Sequence, residues 1–152
     1  MSKESSALLM YRRGSAEFLL VHPGGPFWKN KDAGAWTIPK GELKPGEEPL
    51  LAAQREFEEE LGFKPHGPFI PLSPIKQKAG KLVRAWAFEG DFDTTRLQSN
   101  TFSMEWPPRS GHQQEFPEVD RAAFFHLNEA KEKINPAQVA FLIELSQRLE
   151  GS

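Results

Sequence analysis

Three glutamates, Glu56, Glu59 and Glu60, follow a single arginine, Arg55, in the stretch Pro49–Leu61, PLLAAQREFEEEL. With neither glycine nor a second proline inside it, the stretch reads as a helix. Pro49 suits the first helical position, and Gly62 suits the left-handed residue beyond the last turn. At about 100° per residue, Leu50, Ala53, Phe57 and Leu61 share a core-facing stripe. Glu56, Glu59 and Glu60 fill the adjoining arc, and Glu58 points elsewhere. Carboxylates one turn apart repel each other, and the C-terminal half of a helix disfavours anions. Surface glutamates commonly relieve both penalties through lysines, yet only Arg55 is near. Two readings follow: a solvated acidic face, or an all-oxygen site for a hard cation. With no cysteine and four histidines in the chain, such a site would take Mg²⁺ or Mn²⁺ rather than Zn²⁺.

The flanking residues decide between these readings. Gly41–Phe63 reads GELKPGEEPLLAAQREFEEELGF. It matches the Nudix box, G-x5-E-x7-R-E-U-x-E-E-x-G-U with U bulky and apolar, at Gly41, Glu47, Arg55, Glu56, Phe57, Glu59, Glu60, Gly62 and Phe63. The chain therefore resembles a Nudix hydrolase. The resemblance implies an α/β fold of the Nudix type, an α/β/α sandwich with a mixed β-sheet between helices. It further implies Mg²⁺-dependent hydrolysis of a nucleoside diphosphate linked to another group, by attack of water at phosphorus. By the same resemblance Glu56, Glu59, Glu60 and the Gly41 carbonyl bind metal, Arg55 orients Glu56, and Glu47 is structural. In many such enzymes a loop glutamate outside the box is the catalytic base. Here Glu115, in Gln113–Val119, is the first choice, Glu118 the second, and Glu56 the other contender. His112, nearby, is either a phosphate contact or a solvated loop residue.

The substrate is less sharply written. Pro39-Lys40-Gly41 resembles the diadenosine polyphosphate and diphosphoinositol phosphate branches of the family, where Lys40 would hold an extra phosphate. The acidic pI near 6.1 leans against a heavily phosphorylated inositol. Trp28, beside Phe27 in the Gly/Pro-rich loop His22–Ala35, is a base-stacking candidate or a packing anchor for the loop. Arg84, the odd residue in an apolar run, has the best claim among the remaining cations to a phosphate; Lys29, Lys31, Lys78 and Lys81 are unranked. Dinucleoside polyphosphates stand slightly ahead of nucleoside triphosphates. A non-catalytic nucleotide-binding module of the same fold is disfavoured by the intact box, and an RNA end-processing enzyme by the charge balance.

These residues need a scaffold, and the prolines punctuate it. All 13 lie at positions 23–49, 65–74, 107–117 and 136, leaving three long windows for regular elements. Ala7–Arg12 and Glu17–His22 read as a hairpin, and Trp36–Pro39 as a short strand running into Lys40-Gly41. Phe69–Gln77 and Leu82–Phe88 read as strands joined by Lys78–Lys81, with further strands at Thr101–Trp106 and Ala122–Leu127. Arg109–Pro117 reads as a polar loop. Asn135-Pro136 opens a terminal helix with a stripe of Val139, Leu142, Ile143, Leu145 and Leu149.

Composition bounds the rest. The 152 residues fit one domain over 1–152. Nineteen basic against 21 acidic residues give a net charge of −2, which provides no broad cationic surface for duplex nucleic acid. No apolar run approaches the ~20 residues of a membrane span. The first residues lack a secretory pattern, and disulfides are excluded by the missing cysteines. A cytoplasmic protein with a small nucleotide substrate is expected, monomer or homodimer.

Overall fold

The computed structural model describes residues 4–77 and 80–151. Its frame is a seven-stranded mixed sheet centred on β1 (Glu4–Arg12). Along one edge β1 pairs antiparallel with β2 (Glu17–Pro23) and with β3 (Lys40–Glu42), placing Gly41 opposite Ser6. Along the other edge it runs parallel to β6 (Leu82–Glu89), which places Arg84 opposite Ser6 as well. β4 (Ile70–Pro71) and β5 (Ile75–Lys76) pair with β6, and β9 (Val119–His126) pairs with β2. β7 (Thr101–Glu105) and β8 (Gln113–Pro117) form a separate two-stranded ribbon.

The alternation along β1 explains the layers. Ala7, Leu9 and Tyr11 point to one face, where Phe141, Leu142 and Leu145 of α3 (Val139–Glu150) and Ala130 of α2 (Leu127–Lys133) cover them. Leu8 and Met10 point to the other, against Ala53, Phe57 and Leu61 of α1 (Pro49–Leu61). A strand apolar on both faces must lie between two layers, so the sheet sits between helices as the α/β/α expectation requires. Phe57 is fully buried and meets Phe63 and Phe88 edge-on, so α1 is bolted to the sheet by one aromatic. Pro49 stands in the first turn, and Gly62 closes the helix at φ +85° with its N–H on the Glu58 carbonyl, both as expected.

Several elements differ from the sequence reading. Phe69–Gln77 is two short strands because Pro71 and Pro74 lack the N–H that a continuous ladder needs. Part of the expected turn there, Lys78-Ala79, lies outside the described residues. Trp36 and Thr37 make only isolated bridges, to Ile134 and Val21. The supposed polar loop Arg109–Pro117 contains β8, whose polar residues are tolerated because the ribbon is largely exposed. α2 was unforeseen. In α3 the expected stripe residue Ile143 is exposed, and Phe141, outside that stripe, is buried.

Candidate functional site

The site is assembled where β3 crosses the C-terminal half of α1. A Cβ at Gly41 would overlap the Glu56 carboxylate, so any other residue there displaces that side chain. Arg55 gathers the carboxylates on the outer side. Its Nε and one terminal nitrogen donate to the two oxygens of Glu47, at 2.8 and 2.9 Å. The other donates to Glu56 at 2.9 Å and to Glu59 at 3.2 Å, while the Glu42 carbonyl accepts a further bond at 3.2 Å. Glu47 also accepts from the Lys44 backbone N–H at 2.9 Å. Glu47 thus locks the loop before α1 onto Arg55, the structural role its place in the box implies.

Charge is crowded on the inner side. Glu60 is only 6% exposed. Burial pushes its carboxyl well above the usual range, the charges of Glu56 and Glu118 push further, and the Lys40 ammonium and backbone N–H pull back. Glu56 is raised chiefly by burial, against the pull of Arg55. Glu118 is raised by burial and then by Glu56 and Glu59. Lys40 answers in the opposite sense. Burial and Lys81 lower its pKa, and Glu60, Glu42 and Glu56 raise it. By contrast, Arg55 holds Glu47 down to about 2.

The base candidates separate here. Glu115, the first choice from sequence, is an exposed β8 residue opposite Ser103 and is not among the groups acting on the box carboxylates. Glu118 is. It occupies the junction at which the chain leaves the β7–β8 ribbon for the main sheet, its N–H on the Asn100 carbonyl and its carbonyl accepting from Gly24. The strand alternation of β8 carries Glu115 away, and the junction turns Glu118 inward. A detectable sequence signal was Pro117, which ends the ribbon one residue earlier.

The other candidates scatter. Lys40 joins the carboxylates electrostatically, and Lys81 reaches both Lys40 and, at 3.9 Å, Glu42. Arg84 shares a row with Ser6 and Gly41 across three strands, and its guanidinium lies 3.5 Å from Glu4. Trp28 is 39% exposed in the loop between β2 and β3, with the Lys31 ammonium 5.2 Å over its ring. His112 sits exposed at the ribbon tip. Lys81 also lines, with Gln77, Asn135, Pro136 and Ala137, an open cavity of about 620 Å³.

Among the described residues no three acidic, histidine or cysteine side chains enclose a cation as they stand. The reason is local: Glu56 and Glu59 are turned to Arg55, and Glu60 accepts from the Lys40 backbone. The donor set nevertheless suits a hard divalent ion. It consists of oxygen alone, with carboxyls strained by mutual repulsion and burial and a glycine cradle beside Glu56.

The sequence profile of the NUDIX domain matches residues 2–145. The chain belongs to the NUDIX family. The resemblance read from Gly41–Phe63 is therefore borne out, as is the Nudix type of α/β fold. This NUDIX chain superposes on an Ap4A hydrolase from C. elegans, solved as a binary complex, with a TM-score of 0.68, 23% identity and coverage of 97% and 99% of the two chains. It superposes on the ORF135 protein of E. coli with a TM-score of 0.61, 21% identity and coverage of 96% and 89%. At such identities the likeness is one of fold. An RNA pyrophosphohydrolase from Francisella philomiragia is 40% identical over 57 residues, 37% of each chain. That match spans little more than a third of the relative's length. No described helix is long and apolar enough to cross a membrane.

Proposed function

We propose that this NUDIX protein, acting as a single domain over 1–152, hydrolyses a phosphoanhydride bond in a nucleoside diphosphate linked to another group. The observation that carries the proposal is the convergence of Glu56, Glu59, Glu60 and Glu118 with Arg55 and Lys40 on one glycine-lined site. Glu56, Glu59, Glu60 and the Gly41 carbonyl would hold Mg²⁺ or Mn²⁺, which neutralises charge on the phosphate oxygens. Arg55 keeps Glu56 ionised and aimed, and Glu47 keeps Arg55 in place. Glu118 takes the proton of the attacking water. The new bond forms from the water oxygen to phosphorus, the anhydride P–O bond breaks, and the leaving phosphate departs as an anion. Lys40 supplies a point charge for a further phosphate.

The full-length likeness to an Ap4A hydrolase and the Lys40-Gly41 pair favour a dinucleoside polyphosphate as substrate. The match to an RNA pyrophosphohydrolase favours a second reading, a 5′-triphosphorylated RNA end. Both share the bond cleaved. The test is a phosphohydrolase panel with Mg²⁺, using diadenosine polyphosphates, nucleoside triphosphates, 5′-triphosphorylated RNA and ADP-ribose, with Glu60→Gln as the blank. Release of a nucleotide by the wild type and not by the variant is expected. Cleavage that persists unchanged in Glu60→Gln refutes the site, and cleavage of nucleoside triphosphates alone refutes the substrate preference.

A further inference from the structure

The loop between β2 and β3 exposes two large aromatics, Phe27 at 60% and Trp28 at 39%. It does so on a rigid mount. At one end the Gly24 N–H is bonded to the Glu118 carbonyl at 2.9 Å. At the other, the Lys31 carbonyl meets Nε2 of buried His22 at 2.7 Å, whose Nδ1 is 2.8 Å from Asp120. Turns from Gly25 to Trp28 and from Trp28 to Lys31 close the interior. Gly25 adopts φ +100°, where a Cβ would meet the Phe102 ring of the ribbon, and Phe27 meets Trp106 at the ribbon tip edge-on at 5.6 Å.

The tip is equally constrained. Arg109 holds a left-handed backbone at φ +61°, unusual for a residue with a Cβ. Both oxygens of Glu105 accept from the tip backbone, one from Arg109 and one from Gly111. The Arg109 guanidinium is exposed and has no ion pair among the described residues. Between Pro23 and Lys31 there are two lysines and no acid, in a protein of net charge −2. Lys31 lies 5.2 Å over the Trp28 ring. The rings keep much of their surface in water, and an arginine in the left-handed region costs backbone energy. Together they make a preorganised aromatic surface with free cations, complementary to a base and its phosphate.

We propose that Trp28, Phe27, Trp106 and Arg109 form a subsite for a second nucleoside, joined through phosphates to the one cleaved. This deepens the function proposed above and rests on it. β8 separates the tip from Glu118 by six residues, on the order of 20 Å at the usual strand rise, a reach that suits a nucleoside held across a polyphosphate or an RNA 5′ end. Trp28 and its neighbours stack on the base, and Arg109 pairs with the adjoining phosphate.

Trp28→Ala and Arg109→Gly test this; the second removes the cation while easing the backbone, so its melting temperature should not fall. Binding is measured by calorimetry with a methylene-bridged diadenosine tetraphosphate, a methylene-bridged ATP and a 5′-triphosphorylated trinucleotide. Each variant should weaken the diadenosine ligand or the trinucleotide about tenfold and the ATP analogue less than twofold, which also tells which source supplies the second base. Equal weakening of all three ligands, or of none, overturns the subsite. If the wild type cleaves nothing in the panel while this selective weakening persists, the cleavage reading fails and the subsite stands. If cleavage is normal and both variants bind as wild type, the reverse holds.

Discussion

Replacing Gly41 by alanine isolates the site from the fold. Its backbone is paired with Ser6 in a regular ladder and lies outside the left-handed region, so alanine introduces no backbone strain. The new methyl instead overlaps the Glu56 carboxyl group. Restoring van der Waals separation, ~3.5 Å between carbons, displaces that carboxylate by about 1 Å or more. The displacement stretches the 2.9 Å bond from Arg55 and takes Glu56 out of register with Glu60 and Glu118. A misplacement of about 1 Å in a reacting constellation costs about 10²-fold in rate, or roughly 2.7 kcal/mol of barrier. The cost to stability should be smaller, about 1 kcal/mol, because the group displaced is the end of a flexible side chain rather than backbone. Steady-state kcat/KM on the preferred substrate and urea denaturation measure the two effects. A Gly41→Ala protein within threefold of wild-type activity would refute the reasoning, as would one that loses activity only because it unfolds.

Three further outcomes are expected. Glu118→Gln should lower kcat by about 10²–10⁴-fold while Mg²⁺ still raises the melting temperature, and Glu115→Gln should remain near wild type; the opposite ranking would return the base to the ribbon. Because Arg55 holds Glu47 down to about 2, from 4.5, its contribution is complete above pH 4.5 and is lost as pH falls toward 2. Glu47→Gln should therefore lose about 1–2 kcal/mol at pH 7 and show a flatter stability profile between pH 4.5 and 2, seen in urea titrations at stepped pH. Gln138, fully buried, accepts from the Ile38 N–H and the Thr37 hydroxyl at 3.0 Å each, steadying the chain that leads into β3. Gln138→Ala leaves that N–H unpaired beside a cavity and should cost about 2–4 kcal/mol in denaturant unfolding, whereas a loss below 0.5 kcal/mol would show that the bond is dispensable.

What was legible in the sequence was local. The helix Pro49–Leu61, its glycine stop, its core stripe and the clustering of Glu56, Glu59 and Glu60 all follow from a period of 3.6 residues and from a box whose spacing is written in consecutive positions. The Arg55–Glu56 pairing is equally local, and so is the fit of an all-oxygen donor set to a hard cation. The nearby structural partner, Glu47, lies only eight residues from Arg55.

Long-range placement came only from the tertiary structure. Glu115 and Glu118 are three residues apart and look alike in sequence; whether either meets Glu60 depends on where a ribbon ends and a sheet begins. Lys40 acquires its depressed pKa from burial and from Lys81, 41 positions away in the chain. The box marks Gly41, but its close approach to the Glu56 carboxylate arises only when β3 is laid over α1, and Phe27 meets Trp106 only when the loop is folded onto the ribbon. Periodicity and spacing specify which side chains share a face of one element. Which faces meet is decided by burying the two sides of β1 at once, and that packing is a property of the whole chain.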